Sequence, residues 1–244
     1  TIYSQKEYKE DLDQLGQKLL AIHPHALKFI TKDRFFKNME SKKSLITEKT
    51  TYAEFAWHCN AIIASIGCSH TASSTMQNDY HEFSLLPLEN SFPLQVRWVN
   101  KQLVVVNPMN NDDKVKVKDE ILSINGIKTA NLISDIYDHI AAQANIQSYK
   151  THHFNTHFAA LIPYALGLPN TFEIVVKGNS GSIKLHTAQK RATELFDPSV
   201  NRCLKDLCLE IVDGKIAVLT ISSFNYYEWN NYIDFKSFLD SSMQ

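Results

Sequence analysis

The spacing of apolar residues over the first part of the chain predicts helices. In the first segment the apolar residues fall on one face of a helix, and they are Tyr8, Leu12, Leu15, Leu19 and Ile22. Pro24 ends this pattern, because the residue before a proline disfavours helical geometry. A second, more polar helix is predicted over about residues 31–46.

The third predicted helix has the clearest start and stop signals. Thr51 and Glu54 form an S/T-x-x-E capping box, in which each side chain satisfies a free backbone N–H at the helix start. Gly67 stands where a residue of left-handed conformation would end the helix. The core-facing residues between these signals are Phe55, Cys59, Ile62, Ile63 and Ile66. The three helices predict a helical amino-terminal domain over residues 1–91.

From about residue 83 the period of the apolar residues changes, and the first strand-like run begins at residue 92. Residues 92–99 and 102–106 flank Asn100 and Lys101, which predicts a hairpin. Another strand is predicted to end in a turn at Asn125 and Gly126, a pair that tolerates positive φ. Further along we expect helices over about 130–143 and 151–166, and a hairpin made of 172–177 and 182–187. These elements predict a β-rich domain over residues 92–187.

The last part of the chain predicts the start of another domain. Residues 188–206 are polar and contain Asp197-Pro198, which is typical of a connector. Residues 207–212 and 215–221 then flank Asp213-Gly214, a second hairpin signal, and a helix follows. Because residues 216–219 are all apolar, that strand needs cover on both faces, and two strands with one helix cannot supply it. We expect that 207–244 is the beginning of a larger domain at which the chain is cut off; the alternative is that a partner or the rest of the chain covers the strand.

Composition and charge exclude some classes of function. Apolar residues make up 44% and charged residues 21% of the chain, as in an ordinary globular protein, and the formal net charge is -1. No global field therefore favours nucleic acid, and no apolar run approaches the roughly 18 residues that span a bilayer. The chain begins at Thr1 rather than Met, which indicates removal of an upstream segment, either a signal peptide or an added sequence. Removal of a signal peptide would suit a periplasmic or secreted location.

The cysteines and most of the histidines do not predict a metal site. The cysteines are Cys59, Cys68, Cys203 and Cys208, with no CxxC spacing, and we interpret them mostly as unpaired, partly buried thiols. His153 and His157 have the i, i+4 spacing of metal ligands, but no HExxH arrangement or third ligand accompanies them. We interpret these two histidines as incidental and predict no metal or organic cofactor.

Several stretches, in order, resemble the tail-specific serine peptidases, the family of C-terminal processing and tricorn-type enzymes. Residues 19–24, LLAIHP, and 66–71, IGCSHT, resemble the ends of the first and third helices of that family. Residues 118–126, KDEILSING, resemble a strand and turn of its PDZ-like module. Residues 216–224, IAVLTISSF, resemble the strand that opens its crotonase-like catalytic domain.

The resemblance implies an α+β multi-domain fold and a site. It implies a helical domain, a PDZ-like domain and the truncated start of a crotonase-like α/β domain. It also implies His70 as general base and Ser69 as an accessory group, whereas other members use a serine–lysine dyad located downstream. The matching nucleophile region is not found in this sequence, and Ser222 and Ser223 lie on the opening strand, away from any elbow-like turn.

The expected function is therefore that of a portion of a serine peptidase. The intact enzyme would cleave unfolded or tail-exposed polypeptides through an acyl-enzyme, and we expect this chain alone to be inactive. The PDZ-like module either captures peptides or is purely structural, because it has no GLGF-like loop and carries Lys118 where glycine usually stands. The alternative is a non-catalytic peptide-binding or scaffold protein.

Overall fold

A computed structural model describes residues 3–71, 86–192, 207–221 and 229–242, with only the backbone for 229–231. The chain divides into two compact units, Thr1–Glu194 and Leu195–Gln244. The division lies within the stretch interpreted as a connector. The first unit contains both the helical region and a sheet, and the second contains a hairpin and one helix.

Three helices open the first unit: α1 (Gln5–Ile22), α2 (Lys32–Ser44) and α3 (Tyr52–Ser65). The predicted capping box of α3 is confirmed, since the Thr51 side chain accepts from Glu54 N and the Glu54 carboxylate accepts from Thr51 N. A second capping box, which was not predicted, begins α1 with Ser4 and Glu7. Both helix starts are thus determined by local sequence.

The helices enclose a small apolar core of their own. Its largest fully buried members are Leu12, Phe35, Ile46, Ile62 and Ile66. Gly16 permits close approach of α1 and α2, because a Cβ at this position would overlap the Met39 sulfur. The predicted stripe of α1 is correct at Tyr8 and Leu12 but fails at its end, where Ile22 is 77% exposed.

A mostly antiparallel sheet follows, in the order β1-β2-β3-β5-β6, with β4 paired to β3. Its strands are β1 (Gln95–Val99), β2 (Gln102–Asn107), β3 (Glu120–Ile124), β4 (Ile127–Lys128), β5 (Glu173–Val176) and β6 (Ser182–Lys184). The predicted turns are confirmed: Asn100 and Lys101 have φ of 51° and 62°, and Asn125 and Gly126 have 46° and 78°. Such paired left-handed residues match the twist of a tight hairpin.

Two helices cover this sheet, α4 (Thr129–Asp138) and α5 (Gln147–Ala165). The prediction placed the end of α4 about five residues too late and the start of α5 about four too late. A short 3-10 turn, Gln143–Asn145, separates them, and Ala144 within it has a φ of 50°. The main core lies between these helices and the sheet, and Trp57 of α3 belongs to it. The helical region and the sheet are therefore joined by shared packing.

The second unit consists of a hairpin and a helix in its described part. Strands β7 (Leu207–Val212) and β8 (Ile216–Ile221) pair antiparallel through Asp213 and Gly214, with φ of 52° and 66°, as the turn signal predicted. Helix α6 (Trp229–Ser242) follows. The apolar side chains of both strands remain partly or largely exposed, and Ile211 and Ile216 are exposed by 63% and 58%.

The observed architecture is α+β, with six α-helices and eight strands in the described part of the chain. This agrees with the predicted fold class. The identities given to the individual domains stay predictions. None of the described helices is both long enough and apolar enough to cross a membrane.

Candidate functional site

The turn that carries Ser69 and His70 begins directly after α3. Gly67 ends the helix with a φ of 68°, and its N–H donates to Ala64 O, which confirms the predicted left-handed cap. A Cβ here would lie 3.2 Å from Phe29 Cβ, so the position requires glycine for space as well as for conformation. The conformation of Gly67 therefore fixes the direction in which the chain continues from α3 into the turn with Ser69 and His70.

Backbone hydrogen bonds hold this turn in place. Thr71 N donates to Cys68 O at 3.3 Å, which closes the turn around Ser69 and His70. Ala144 N, in the 3-10 turn before α5, donates to Gly67 O at 2.9 Å. The turn is thus tied to the region that follows the sheet helix α4, and Ala144 takes its uncommon φ where it makes this bond.

His70 lines a cleft of about 370 Å³ that we call the histidine cleft, defined by His23, Pro24, His25, Cys68, His70 and Gln143. The segment after α1 supplies two of its histidines. His25 N donates to His23 Nδ1 at 3.1 Å, so Nδ1 of His23 is an acceptor and the neutral ring carries its hydrogen on Nε2. Imidazole can both accept and donate a proton, so a cleft lined by three of these rings is suited to proton transfer.

The structure brings His70 together with His23 and His25 but not with a serine nucleophile. His70 is exposed and Ser69 is half-buried, and Ser69 does not line the cleft. In the described part of the chain, neither the Ser69 hydroxyl nor the His70 imidazole makes a side-chain hydrogen bond. Ser222 and Ser223 lie outside the described residues.

The cysteine beside His70 does not form a cysteine–histidine dyad. Cys68 is a free thiol that lines the histidine cleft, but no hydrogen bond joins its sulfur to an imidazole within the described residues. Cys59 is also free, and burial raises the pKa of its thiol to about 12, which makes it unreactive at neutral pH. The interpretation of the cysteines as mostly unpaired thiols is wrong for Cys208, which is disulfide-bonded.

The histidine pair at i, i+4 on α5 makes contacts within its own helix. No group of three or more His, Cys, Asp or Glu in the described residues is arranged to hold a metal. The rings of His153 and His157 stack with centroids 4.3 Å apart, and His157 Nδ1 donates to His153 O at 3.0 Å. His157 is buried and its Nδ1 bonds within its own helix.

The free edge of the sheet is relevant to peptide capture by strand addition. Trp98 on β1 has its N–H bonded to Asn155 Oδ1 at 2.7 Å, and its carbonyl accepts from Asn155 Nδ2 at 3.1 Å. The amide of Asn155, on α5, therefore pairs with the strand edge as a neighbouring strand would. A peptide could add to β1 at Trp98 only by displacing this side chain.

A buried polar centre that was not predicted joins α3 to the end of α4. His139 is 1% exposed, and its ring stacks on Trp57 at 3.9 Å between centroids. Its Nδ1 lies 2.8 Å from Asp135 O, so Nδ1 donates and Nε2 is left as the acceptor facing Lys42 Nζ at 3.5 Å. Asn60 Nδ2 donates to His139 O. Burial, reinforced by the Lys42 charge, lowers the pKa of His139 to about 3, and the ring is neutral at pH 7.

The sequence offered no signal for this centre. Its members lie on α2, α3 and α4, and none of their spacings is a motif. The grouping of His23 and His25 with His70 was also not predicted. The only hint was that LLAIHP and IGCSHT both contributed to the family resemblance.

Comparison with protein-family models gives no match, and comparison with curated proteins gives no match either, so the resemblance is carried by the motifs alone.

Proposed function

We propose that this chain is part of a tail-specific serine peptidase in which His70 is the general base. The observation that carries the proposal is the placement of His70. Its imidazole is exposed on a turn held by backbone hydrogen bonds, at the wall of the histidine cleft. No hydrogen bond or ion pair within the described residues occupies its ring nitrogens. A base needs this availability to accept a proton.

The proposed reaction is acyl transfer to a serine. The serine oxygen attacks the scissile carbonyl while His70 takes the hydroxyl proton, and backbone amides stabilise the oxyanion. His70 then gives the proton to the leaving amine as the C–N bond breaks. Water attacks the resulting ester in a second cycle of the same transfers, which releases the acid and restores the serine. In members with a serine–lysine dyad, a lysine would take the place of His70.

The serine and the oxyanion amides of this proposal lie outside the described residues. Ser69 lies next to the base in sequence, and we propose for it only an accessory, orienting role. Because the nucleophile region of the family is not found in this sequence, we expect the 244-residue chain alone to be inactive. We propose no metal or organic cofactor for the reaction.

The proposed domains follow the order of the motifs. We propose a helical domain over 1–91, a PDZ-like domain over 92–187, a connector over 188–206 and the beginning of a crotonase-like catalytic domain over 207–244. Support for the second comes from the antiparallel sheet with KDEILSING on β3 and its turn. Because Asn155 occupies the β1 edge at Trp98, we favour a structural or gating role for this domain over peptide capture at that edge.

A periplasmic or secreted location is part of the proposal. The disulfide at Cys208 supports it, because disulfides persist in oxidising compartments and are rare in the cytosol. The substrate that we propose is an unfolded or tail-exposed polypeptide.

The test measures hydrolysis of an unfolded, fluorescently labelled polypeptide by the product of the complete gene, with labelling by a fluorophosphonate as the readout for an activated serine. We expect His70→Ala to lower kcat/KM at least about 100-fold, the usual contribution of a general base. His186→Ala is the matched control, because His186 is exposed, pairs with Asp113 and does not line the histidine cleft.

Two outcomes would overturn parts of the proposal. Activity that survives His70→Ala assigns the base to another residue, such as a lysine. A gene product that neither hydrolyses the polypeptide nor reacts with the fluorophosphonate is not a serine peptidase, and the non-catalytic alternative then replaces the proposal.

A further inference from the structure

A second cleft, of about 420 Å³, lies between α2, α3 and the start of α5. We call it the basic cleft and define it by Arg34, Lys42 and Lys150, together with Asn38, Asn145 and Gln147. One carboxylate, that of Asp138, also lines it, so positive charge is in excess. None of the three basic side chains forms an ion pair within the described part of the chain.

Lys150 is an unusual member because it is only 4% exposed. Its Nζ donates to Tyr137 O at 2.7 Å, and this is its one hydrogen bond to the described residues. An ammonium group has three hydrogens, so two remain for another acceptor. Burial lowers the pKa of Lys150, because a charge held away from water is costly, and the Asp138 charge opposes this effect only in part. A bound anion would offset that cost.

The Lys42 side chain extends from α2 into the cleft, and its ammonium group is oriented by His139 of the buried polar centre. Its Nζ lies 3.5 Å from His139 Nε2, the ring nitrogen that carries no hydrogen. The imidazole is neutral, so it orients the ammonium group without neutralising it. Arg34 lies two turns earlier on the same helix and adds an exposed guanidinium.

The first turn of α5 adds positive potential to the same place. Gln147 and Lys150 of this turn both line the cleft. The helix has no side-chain cap at its start and no acidic residue in its first turn, so nothing of that kind neutralises the positive end of the helix dipole. Helix starts of this type, combined with basic side chains, bind oxyanions.

We propose that the basic cleft binds a small molecule through a phosphate group held by Lys42, Lys150 and Arg34. The volume of the cleft falls within the range of about 300–1,000 Å³ that small-molecule sites occupy. Three cations face one carboxylate in this cleft, and a phosphate dianion complements that excess of positive charge better than a singly charged carboxylate ligand would. Asn38, Asn145 and Gln147 supply neutral polar groups beside it. The site does not depend on the peptidase proposal, since it shares no catalytic group with the histidine cleft.

The test is titration of the chain with inorganic phosphate at constant ionic strength, followed by the melting temperature and by calorimetry. We expect phosphate at about ten times its Kd to raise Tm by about 3–6 °C, whereas an equal ionic strength of chloride does not. Lys42→Met and Arg34→Met should each weaken phosphate binding at least about tenfold. Lys37→Met is the control, because Lys37 lies on α2 between them but does not line the cleft.

The outcomes separate the proposal from its competitors. No shift beyond that of chloride, or an equal loss of binding in Lys37→Met, overturns the site, because the response is then general screening. Binding of acetate or citrate without binding of phosphate overturns the ligand class. Lys150→Met is a third variant, but it replaces a buried side chain and could prevent folding. In that case the result is decided by Lys42→Met and Arg34→Met.

Discussion

The two compact units place similar apolar side chains in opposite environments. In Thr1–Glu194, Leu103, Phe158 and Ile62 are at most 2% exposed, because helices and a sheet cover one another. In Leu195–Gln244, Ile211, Ile216 and Leu219 of the hairpin are 63%, 58% and 44% exposed. Large apolar side chains of the same kinds occur in both units, so residue type does not decide burial. The number of layers that surround a strand decides it.

This difference in burial determines which unit can enclose ionisable side chains and which unit is sensitive to substitution. The first unit encloses a buried imidazole, that of His139, and a buried ammonium, that of Lys150, which are 1% and 4% exposed. The described part of the second unit offers no such interior. We therefore expect substitutions of similar chemistry to have different consequences in the two units, and three experiments test this.

The largest difference should come from truncating apolar side chains. Phe158→Ala on α5 empties a site that is 2% exposed, and we expect a loss of about 4 kcal/mol in the free energy of unfolding. Ile216→Ala on β8 changes a side chain that is 58% exposed, and we expect a loss below about 1 kcal/mol. Urea denaturation followed by circular dichroism measures both. Comparable losses would mean that Ile216 is covered in solution.

The pH dependence of stability should belong to the first unit. All ten histidines precede Leu195, and His139 has a folded-state pKa of about 3 against an ordinary value of 6.5. Between these values the unfolded chain binds a proton that the folded chain does not. Stability is therefore complete above pH 6.5 and decreases as the pH falls toward 3, by about 2 kcal/mol between pH 7 and pH 5.

His139→Asn is the variant for this measurement. The groups that act on the ring are the Lys42, His58 and Lys150 side chains and the Asp135 carbonyl, and the charged ones among them disfavour a protonated His139. The variant should flatten the slope of stability against pH, whatever its stability at pH 7. His186→Asn, at an exposed position outside the buried polar centre, is the control variant. An unchanged slope in His139→Asn would show that the ring titrates normally.

The smallest difference should come from two glycines of nearly identical conformation. Gly67 has a φ of 68°, and a Cβ added there would lie 3.2 Å from Phe29 Cβ, whereas Gly214 has a φ of 66° and open space around it. Alanine at either position is strained by about 1 kcal/mol. Gly67→Ala should cost about 1 kcal/mol more, because Phe29 must move. Thermal unfolding of the two variants measures the loss of stability in each. Equal losses would mean that the Phe29 side chain moves away at no cost in free energy.

Local sequence predicted the parts of the fold that depend on neighbouring residues. Thr51 with Glu54, Gly67, and the turns at Asn125-Gly126 and Asp213-Gly214 all have the expected geometry. The helix boundaries around Ala144 were less accurate, because the chain there takes a left-handed residue whose N–H bonds to Gly67 O, more than seventy positions away. No window of sequence contains both partners.

The candidate site divides in the same way. His70 was chosen for its motif, and its catalytic role stays a prediction, although its exposure and its position on a capped turn suit a base. Three features of the site were not predicted. They are the position of His23 and His25 beside His70 in one cleft, the Asn155 side chain bound at the β1 edge at Trp98, and the basic cleft. Each joins residues from separate elements, and the spacing between them in sequence carries no period or motif.

For this protein the sequence by itself determined the helix caps, the hairpin turns and the alternation of helix and strand, because these depend on hydrogen bonds and backbone preferences within a few residues. Only the tertiary structure decided which apolar residues are buried, which imidazole is held neutral and which cations share a cleft. Burial and electrostatic potential are sums over all surrounding groups, and those groups come from distant parts of the chain.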